Sequence, residues 1–294
     1  MDRPNAPRHA HKTAGRVSTM SDTVGVCRVV KTRLGPVAVS VRGRGTPLVL
    51  LHANPGDGRD YAAIVPALAQ RHTTYTIDWP GYGASPPPPQ PRTTTAMAYA
   101  EILPDVVAGL GLRRAAFLGN SVGGYAAARM AITCPEMVSA LILVNSGGFT
   151  RPNVLTRALI WLKGTEILTR ALVGRLPRIY LRRRTPVVEE MIARDCARRG
   201  DQVSVAVEAA VWRSFMAAEH DLRRRAAEIT APTLLVWGVR DPILGRDGRS
   251  AQRSIPHAVW HPLHAGHVPF AEKPQAFLHA VLPFLARHTS AGSG

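Results

Sequence analysis

A single serine stands between glycines in Gly119-Asn120-Ser121-Val122-Gly123, after a short apolar run and before an alanine-rich helical stretch. A plain turn at such a junction would favour Asn-Gly or Asp-Gly, with any serine left to cap the helix. Chance placement in a chain with 25 glycines gives about 0.1 occurrences of Gly-x-Ser-x-Gly, so the motif by itself is only suggestive. Its context adds weight. A serine on a very sharp turn takes strained backbone angles, and the residues two positions away come too close for a Cβ. Gly119 and Gly123 hold those positions. Such a turn lifts the hydroxyl off the sheet toward the free N–H groups of the helix that follows, where an anion can be stabilised. The expected chemistry is nucleophilic attack by Ser121.

A hydroxyl attacks poorly until a base takes its proton, and the base needs an acid to fix its tautomer. Both are on offer, in the order Ser, Asp, His. "PTLLVWGVRDPIL" puts Asp241 just past the end of a buried strand, and "HPLHAGHVPFAEKPQAF" puts His267 in the loop after the next one. Each has a rival. Ser121 could be a turn serine or helix cap. Asp247 competes with Asp241, and His261 and His264 compete with His267, though these two fit better as residues that line or flank the site. The spacing of the three histidines could suggest a metal, but no acidic or cysteine partner lies nearby, so neither metal nor cofactor is expected. Asp78 in "DWPGYGAS" reads as a loop-stabilising carboxylate.

These residues need a scaffold, and the chain supplies an alternation of strand and helix patterns. "VCRVVKTRLG" and "PVAVSVRG" suggest a hairpin. "PLVLLHA", "TTYTIDW", "RAAFLG", "VSALILVNSGG", "APTLLVWG" and "AVWHPL" read as strands. Helical patterns lie between them: "YAAIVPALAQR", despite Pro66, a segment from Thr93 kinked or split at Pro104, and "YAAARMAIT" stopped by Pro135. Later come "RDGRSAQRSI" and the last helix, "KPQAFLHAVLPFLARH". Continuous apolar strands alternating with helices predict an α/β fold with a mostly parallel sheet covered on both faces. From 151 to 228 no strand interrupts, and the text reads as helices alone, ending in the long pattern "VAVEAAVWRSFMAAEHDLRRRAAEI". The expected organisation is a tail at 1–25, a core at 26–150 and 229–288, a helical cap at 151–228 and a frayed end at 289–294. Met20 is an alternative start of translation.

Composition narrows the partners. The formal net charge is +17, and arginine outnumbers lysine 33 to 4. A GC-rich genome accounts for such a bias without an anionic partner. The clusters at 182–184 and 223–225 lack the interleaved aromatic residues that stack on bases, so no nucleic-acid partner is expected. Three scattered cysteines make no disulfide framework, which points to a reducing cytoplasm. No apolar run reaches the length of a membrane span, and no secretory h-region opens the chain. The segment "VLTRALIWLKGTEILTRALVGRLPRIYLRRR" has the apolar and basic make-up of an interfacial helix, so peripheral membrane contact stays open. The preferred reading is a lid with one face over a pocket.

Taken in order, "LLHANPG", "DWPGYGAS", "GNSVGG", "WGVRDP" and "AGHVPFAEKP" resemble the motifs of the α/β-hydrolase superfamily, from about Val26 to His288. The likeness is to its serine-nucleophile branch with a helical cap between the sixth and seventh strands. It implies Ser121 as nucleophile, His267 as base then acid, Asp241 as its partner, and the backbone N–H groups of Asn54 and Val122 as oxyanion hole. His52 would fix that loop. The family usually has His-Gly where this chain has His52-Ala53. "HANP" also resembles the loop of haloalkane dehalogenases, but those enzymes and epoxide hydrolases use an aspartate nucleophile. The expected activity is hydrolysis of a carboxylic ester of a small-to-medium apolar substrate through an acyl-serine. Carbon–carbon hydrolysis of ring-cleavage diketones ranks second, and thioesterase, lactonase and perhydrolase chemistry share the same residues. A non-catalytic binder on this fold is disfavoured, because it has no need of all three residues. Trp161, Trp212 and Phe215 of the cap are the expected pocket walls, with Leu155, Leu159, Leu162, Ile167, Leu168 and Met216 around them.

Overall fold

Strand β5 (Ala115–Asn120) is buried along its whole length, and its side chains alternate between two apolar layers. Phe117 belongs to the same layer as Trp79, Tyr99, Tyr125 and Trp237, while Leu118 belongs to that of Leu48, Ile142, Phe270 and Phe277. That alternation is the period of a strand covered on both faces. The structure is a computed structural model and describes residues 25–289. The expectations for the N-terminal tail, the Met20 start and the C-terminal end fall outside these residues, but for Gly25 and Thr289.

Around β5 lie β1 (Val26–Thr32), β2 (Gly35–Arg42), β3 (Thr46–Leu51), β4 (His72–Ile77), β6 (Val138–Val144), β7 (Thr233–Gly238) and β8 (Val259–Leu263). They form one eight-stranded sheet in the order β1-β2-β4-β3-β5-β6-β7-β8. The β1–β2 hairpin and the β2–β4 pair are antiparallel, and all other neighbours are parallel. The parallel strands therefore deliver the loops after β3, β5, β6, β7 and β8 to one edge, where ligands of such sheets bind.

The first helices are α1 (Val65–Leu68), α2 (Ala96–Glu101), α3 (Leu103–Gly109) and α4 (Val122–Thr133). The helix expected through Pro66 is a correction: Gly58–Tyr61 is a 3-10 turn capped by Asp57, and α1 begins afresh with Pro66 in its first turn. A proline opens a helix easily but is costly inside one, because it lacks the N–H and crowds the preceding turn. Pro104 likewise divides α2 from α3.

Between β6 and β7 come α5 (Val154–Lys163), α6 (Glu166–Leu172), α7 (Leu176–Tyr180), α8 (Pro186–Ala197) and α9 (Gln202–Ser214). The long final helix expected for this segment stops at Ser214 and is followed by three short 3-10 turns. Those turns put Leu222, Ala226 and Ile229 into the core of the sheet, with the Leu222 N–H donating to the Gly148 carbonyl. A continued helix would have carried them off. The chain ends with α10 (Gly248–Ser254), α11 (Pro269–Glu272) and α12 (Pro274–His288). Helix α11, formed by "PFAE", was not expected from the sequence.

Candidate active site

The turn from β5 into α4 forces Ser121 to φ 55° and ψ −115°, a left-handed conformation rare outside glycine. Space explains its neighbours. A Cβ on Gly119 would lie 2.3 Å from the Gly123 carbonyl oxygen, and one on Gly123 would lie 2.1 Å from that of Leu51. Ser121 is the N-cap residue of α4, yet its hydroxyl makes no capping bond. It is free for other work. The backbone is tied instead, with the Ser121 N–H donating to Val144 O at 3.1 Å and Ser121 O accepting from Gly147 N–H at 2.9 Å.

Asp241 follows β7 and His267 follows β8. The two side chains meet at 2.7 Å, between Asp241 Oδ2 and His267 Nδ1, and both are buried. Burial pushes the Asp241 carboxyl up, but the imidazole beside it, the Ile243 N–H and the Asn145 side-chain amide together hold it below the usual range. A carboxylate bonded to one imidazole nitrogen fixes the tautomer and leaves the other nitrogen able to take a proton. Asp247 does not reach the imidazole. It accepts a bond from Thr150 Oγ1 at 2.5 Å, and burial, aided by the charge of Asp241, raises its pKa.

Ser121 and His267 line one cavity of about 290 Å³, with Ala53, Asn54 and Val122 on the same wall. The cap contributes Ile160, Leu176, Tyr180, Trp212, Phe215 and Met216, so two of the three expected wall residues, Trp212 and Phe215, lie at the cavity. Trp161 does not. Its side chain is 55 % exposed on the outer side of α5, and Leu155, Leu159, Leu162 and Ile167 are exposed with it. Two arginines, Arg157 and Arg224, also line the cavity, are exposed, and form no ion pair among the described residues.

The loop after β3 is fixed by His52. Its Nε2 accepts the Trp79 backbone N–H at 2.9 Å, so Nδ1 carries the proton that it donates to Ala53 O at 2.6 Å. Burial lowers the His52 pKa and favours this neutral form. The Asn54 side chain points away from a halide-binding role: it accepts from the Tyr82 hydroxyl and donates to Glu208 O of α9 at 3.2 Å. Asp78 takes N–H bonds from Gly58 and Ala84, as a loop tie does. His261 and His264 are outside the cavity, and no group of three metal-ligating side chains occurs among the described residues.

The sequence profile of the family described as alpha/beta hydrolase fold matches residues 46–163. A pimeloyl-[acyl-carrier protein] methyl ester esterase of Chromobacterium violaceum is 30% identical over 259 residues, 84% of this chain and 97% of that protein. The chain belongs to the α/β-hydrolase superfamily. A 2-hydroxy-6-oxononadienedioate/2-hydroxy-6-oxononatrienedioate hydrolase of Pseudomonas sp is 28% identical, over 86% of this chain and 93% of that one. The crystal structure of a hydrolase from Pseudomonas aeruginosa PA01 superposes with a TM-score of 0.77 at 28% identity, covering 88% and 98% of the two chains.

Several residues that hold this hydrolase's site together escape a reading of its sequence. Asn145, at φ 39°, donates to Asp241 Oδ2 at 2.8 Å and accepts the Gly238 N–H at 2.7 Å, so it joins the ends of β6 and β7. Asn120 donates to both Val144 O and His267 O at 3.0 Å. Tyr180 of the cap accepts the His267 N–H at 3.1 Å and sets its ring edge against the imidazole. Glu272 collects the N–H groups of Gly266, Arg182 and Arg183, which ties the loop of His267 to the end of α7. The only sequence signals were asparagines placed at strand ends, in "GNS" and "VNSGG". For Tyr180 and Glu272 there was none, because their partners are backbone atoms.

Proposed function

We propose that this α/β-hydrolase cleaves a carboxylic ester through an acyl-serine intermediate. The observation that carries the reading is the Asp241–His267 bond beside an uncapped Ser121 hydroxyl in one cavity. His267 takes the Ser121 proton as Oγ attacks the carbonyl carbon, and Asp241 steadies the imidazolium that forms. The Val122 and Asn54 N–H groups hold the negative oxygen. His267 then protonates the departing alcohol, and water activated by the same imidazole releases the acid and restores Ser121.

A fluorophosphonate probe should label Ser121, and Ser121→Ala should lose labelling and ester turnover together. Labelling at another serine, or undiminished turnover, overturns the assignment. Ile160, Leu176, Trp212, Phe215 and Met216 favour an apolar acyl or alcohol group. Over p-nitrophenyl esters of graded chain length, Trp212→Ala should shift the preferred length, whereas Trp161→Ala should leave it alone.

A second reading concerns the far end of the substrate. Arg157 and Arg224, exposed at the cavity, favour an anionic group there, and one relative is a hydrolase named for a dienedioate, which carries a carboxylate at each end. Monomethyl esters of dicarboxylic acids should then exceed neutral methyl esters in kcat/KM, and Arg224→Ala should erase the difference. A ring-cleavage diketone, run beside the esters, separates ester from carbon–carbon hydrolysis.

A further inference from the structure

Apart from Ile160, the large apolar residues of α5 and Ile167 of α6 lie outside the cavity lining and are exposed. Leu155, Leu159 and Leu162 recur on α5 at the spacing of one helix face, a pattern that ordinarily marks burial. All three are exposed, with Val154 and Trp161 beside them, and Ile167 on α6 is 85 % exposed. The one buried residue of α5 is Lys163, which is locked to Glu208 of α9. Helices α5 and α6 touch each other and both rest on α9, so their inner sides are already occupied. Isolated exposed leucines need no explanation, but a set of large apolar residues on two adjacent helices does.

Charge selects what covers them. Residues 151–184 hold nine basic side chains and one acidic, Glu166, which is itself paired with Arg92. Arg151, Arg157, Arg170, Arg175 and Arg178 are exposed. A second copy of the chain would set this positive face against itself, a repulsive arrangement. Residues 1–24 are also net basic and contain few large apolar side chains, so their sequence matches the face no better. An anionic lipid surface matches both features: arginines meet the headgroups while leucine, isoleucine and tryptophan enter the boundary beneath them. Pro152, Arg157 and Ile160 of this same segment line the candidate active-site cavity.

We propose that the outer face of α5 and α6 docks on a bilayer containing anionic lipid, which brings one wall of the cavity to the membrane surface. The inference goes beyond the ester-hydrolase reading and does not depend on it. Flotation of the full chain with vesicles tests it, using phosphatidylcholine alone against equal parts phosphatidylcholine and phosphatidylglycerol. Binding should favour the anionic vesicles by about tenfold or more and fall in about 0.5 M salt. A Leu155→Ser/Leu159→Ser/Ile167→Ser variant should lose about nine-tenths of that binding, and Arg170→Ser should weaken it by about fivefold. Neither should alter turnover of p-nitrophenyl acetate in solution. Ile167→Ser alone gives the same direction if the triple variant does not fold. Equal partition to both vesicle types, or unchanged partition of the variants, overturns the proposal. So does a parent dimer in sedimentation that the triple variant turns into a monomer. Failure of the ester reading would show as absent turnover with vesicle binding intact.

Discussion

Two aspartates stand near the end of β7, and only one of them meets an imidazole. Asp241 spends Oδ2 on His267 and Asn145, and Oδ1 on the Ile243 N–H. Asp247 is committed to Thr150. The distinction predicts unequal substitutions. Asp241→Asn keeps the size of the side chain but presents the wrong groups to His267 Nδ1, so kcat should fall by about ten-thousand-fold. Asp247→Asn should cost less than about tenfold, because it touches no reacting group. Steady-state kinetics on one ester compare the two, and the reverse ranking means that the acid has been misplaced. Ser121, Asp241 and His267 could be picked out in the sequence because sharp turns after strands carry glycine and proline signatures around them. Asn120 and Asn145 left no more than an asparagine at a strand end, and Glu272 left nothing, since a residue that binds mostly backbone N–H and C=O groups leaves no pattern in its neighbours.

At the scale of elements, the cap is held by charge as well as by apolar packing. Glu208 on α9 receives Lys163 from α5 and Arg198 from the end of α8, and Arg198 also reaches Asp195. Burial works against the Glu208 carboxylate, but the two cations outweigh it and hold its pKa below the usual value. Its backbone carbonyl takes the Asn54 side chain, which joins α9 to the loop after β3. Removing one member of such a buried set strands the others. Glu208→Ala should therefore cost about 3–5 kcal/mol in urea unfolding. Arg92→Ala, which breaks an exposed pair, should leave the midpoint where it was. Equal effects of the two would mean that the buried set contributes nothing special. The strands were legible because uninterrupted apolar runs between turn signals have few other fates. The inside of the cap was not. An amphipathic helix announces two faces but not what each will meet, and on α5 the lysine went in while the leucines stayed out.

For the whole molecule, acid works through two sets of groups in sequence. His220 is stacked on Tyr125 and meets Phe215 edge-on, and its Nε2 accepts the Met97 N–H at 3.3 Å. Burial lowers its pKa to about 4, and burial also lowers those of His52 and His72. Between about pH 6.5, where an unfolded histidine titrates, and the lowered folded values, the unfolded chain binds protons that the native chain refuses. The histidine contribution to stability is complete above that window and falls as pH drops through it, while Asp60, raised to about 7 by burial, and Asp247 and Glu272, also raised by burial, act in the opposite sense there. The carboxylates then act. Asp57, Glu208 and Asp241 are held low by their partners in the fold, so their contribution is present above about pH 4 and is lost as they protonate below it. A chain of formal net charge +17 gains still more positive charge on the way down, and nothing in that repulsion opposes the trend. Thermal melts from pH 8 to pH 3 should therefore show Tm falling steeply below about pH 4, and above it the histidine contribution is read as the difference between the parent and His220→Gln. Between about pH 6.5 and pH 4 the Tm of His220→Gln should gain on that of the parent as pH falls, with the lower part left in place, whatever the variant does to Tm at pH 8. A difference in Tm between the two that stays constant from pH 8 to pH 4.5 would show that His220 is not kept neutral by the fold.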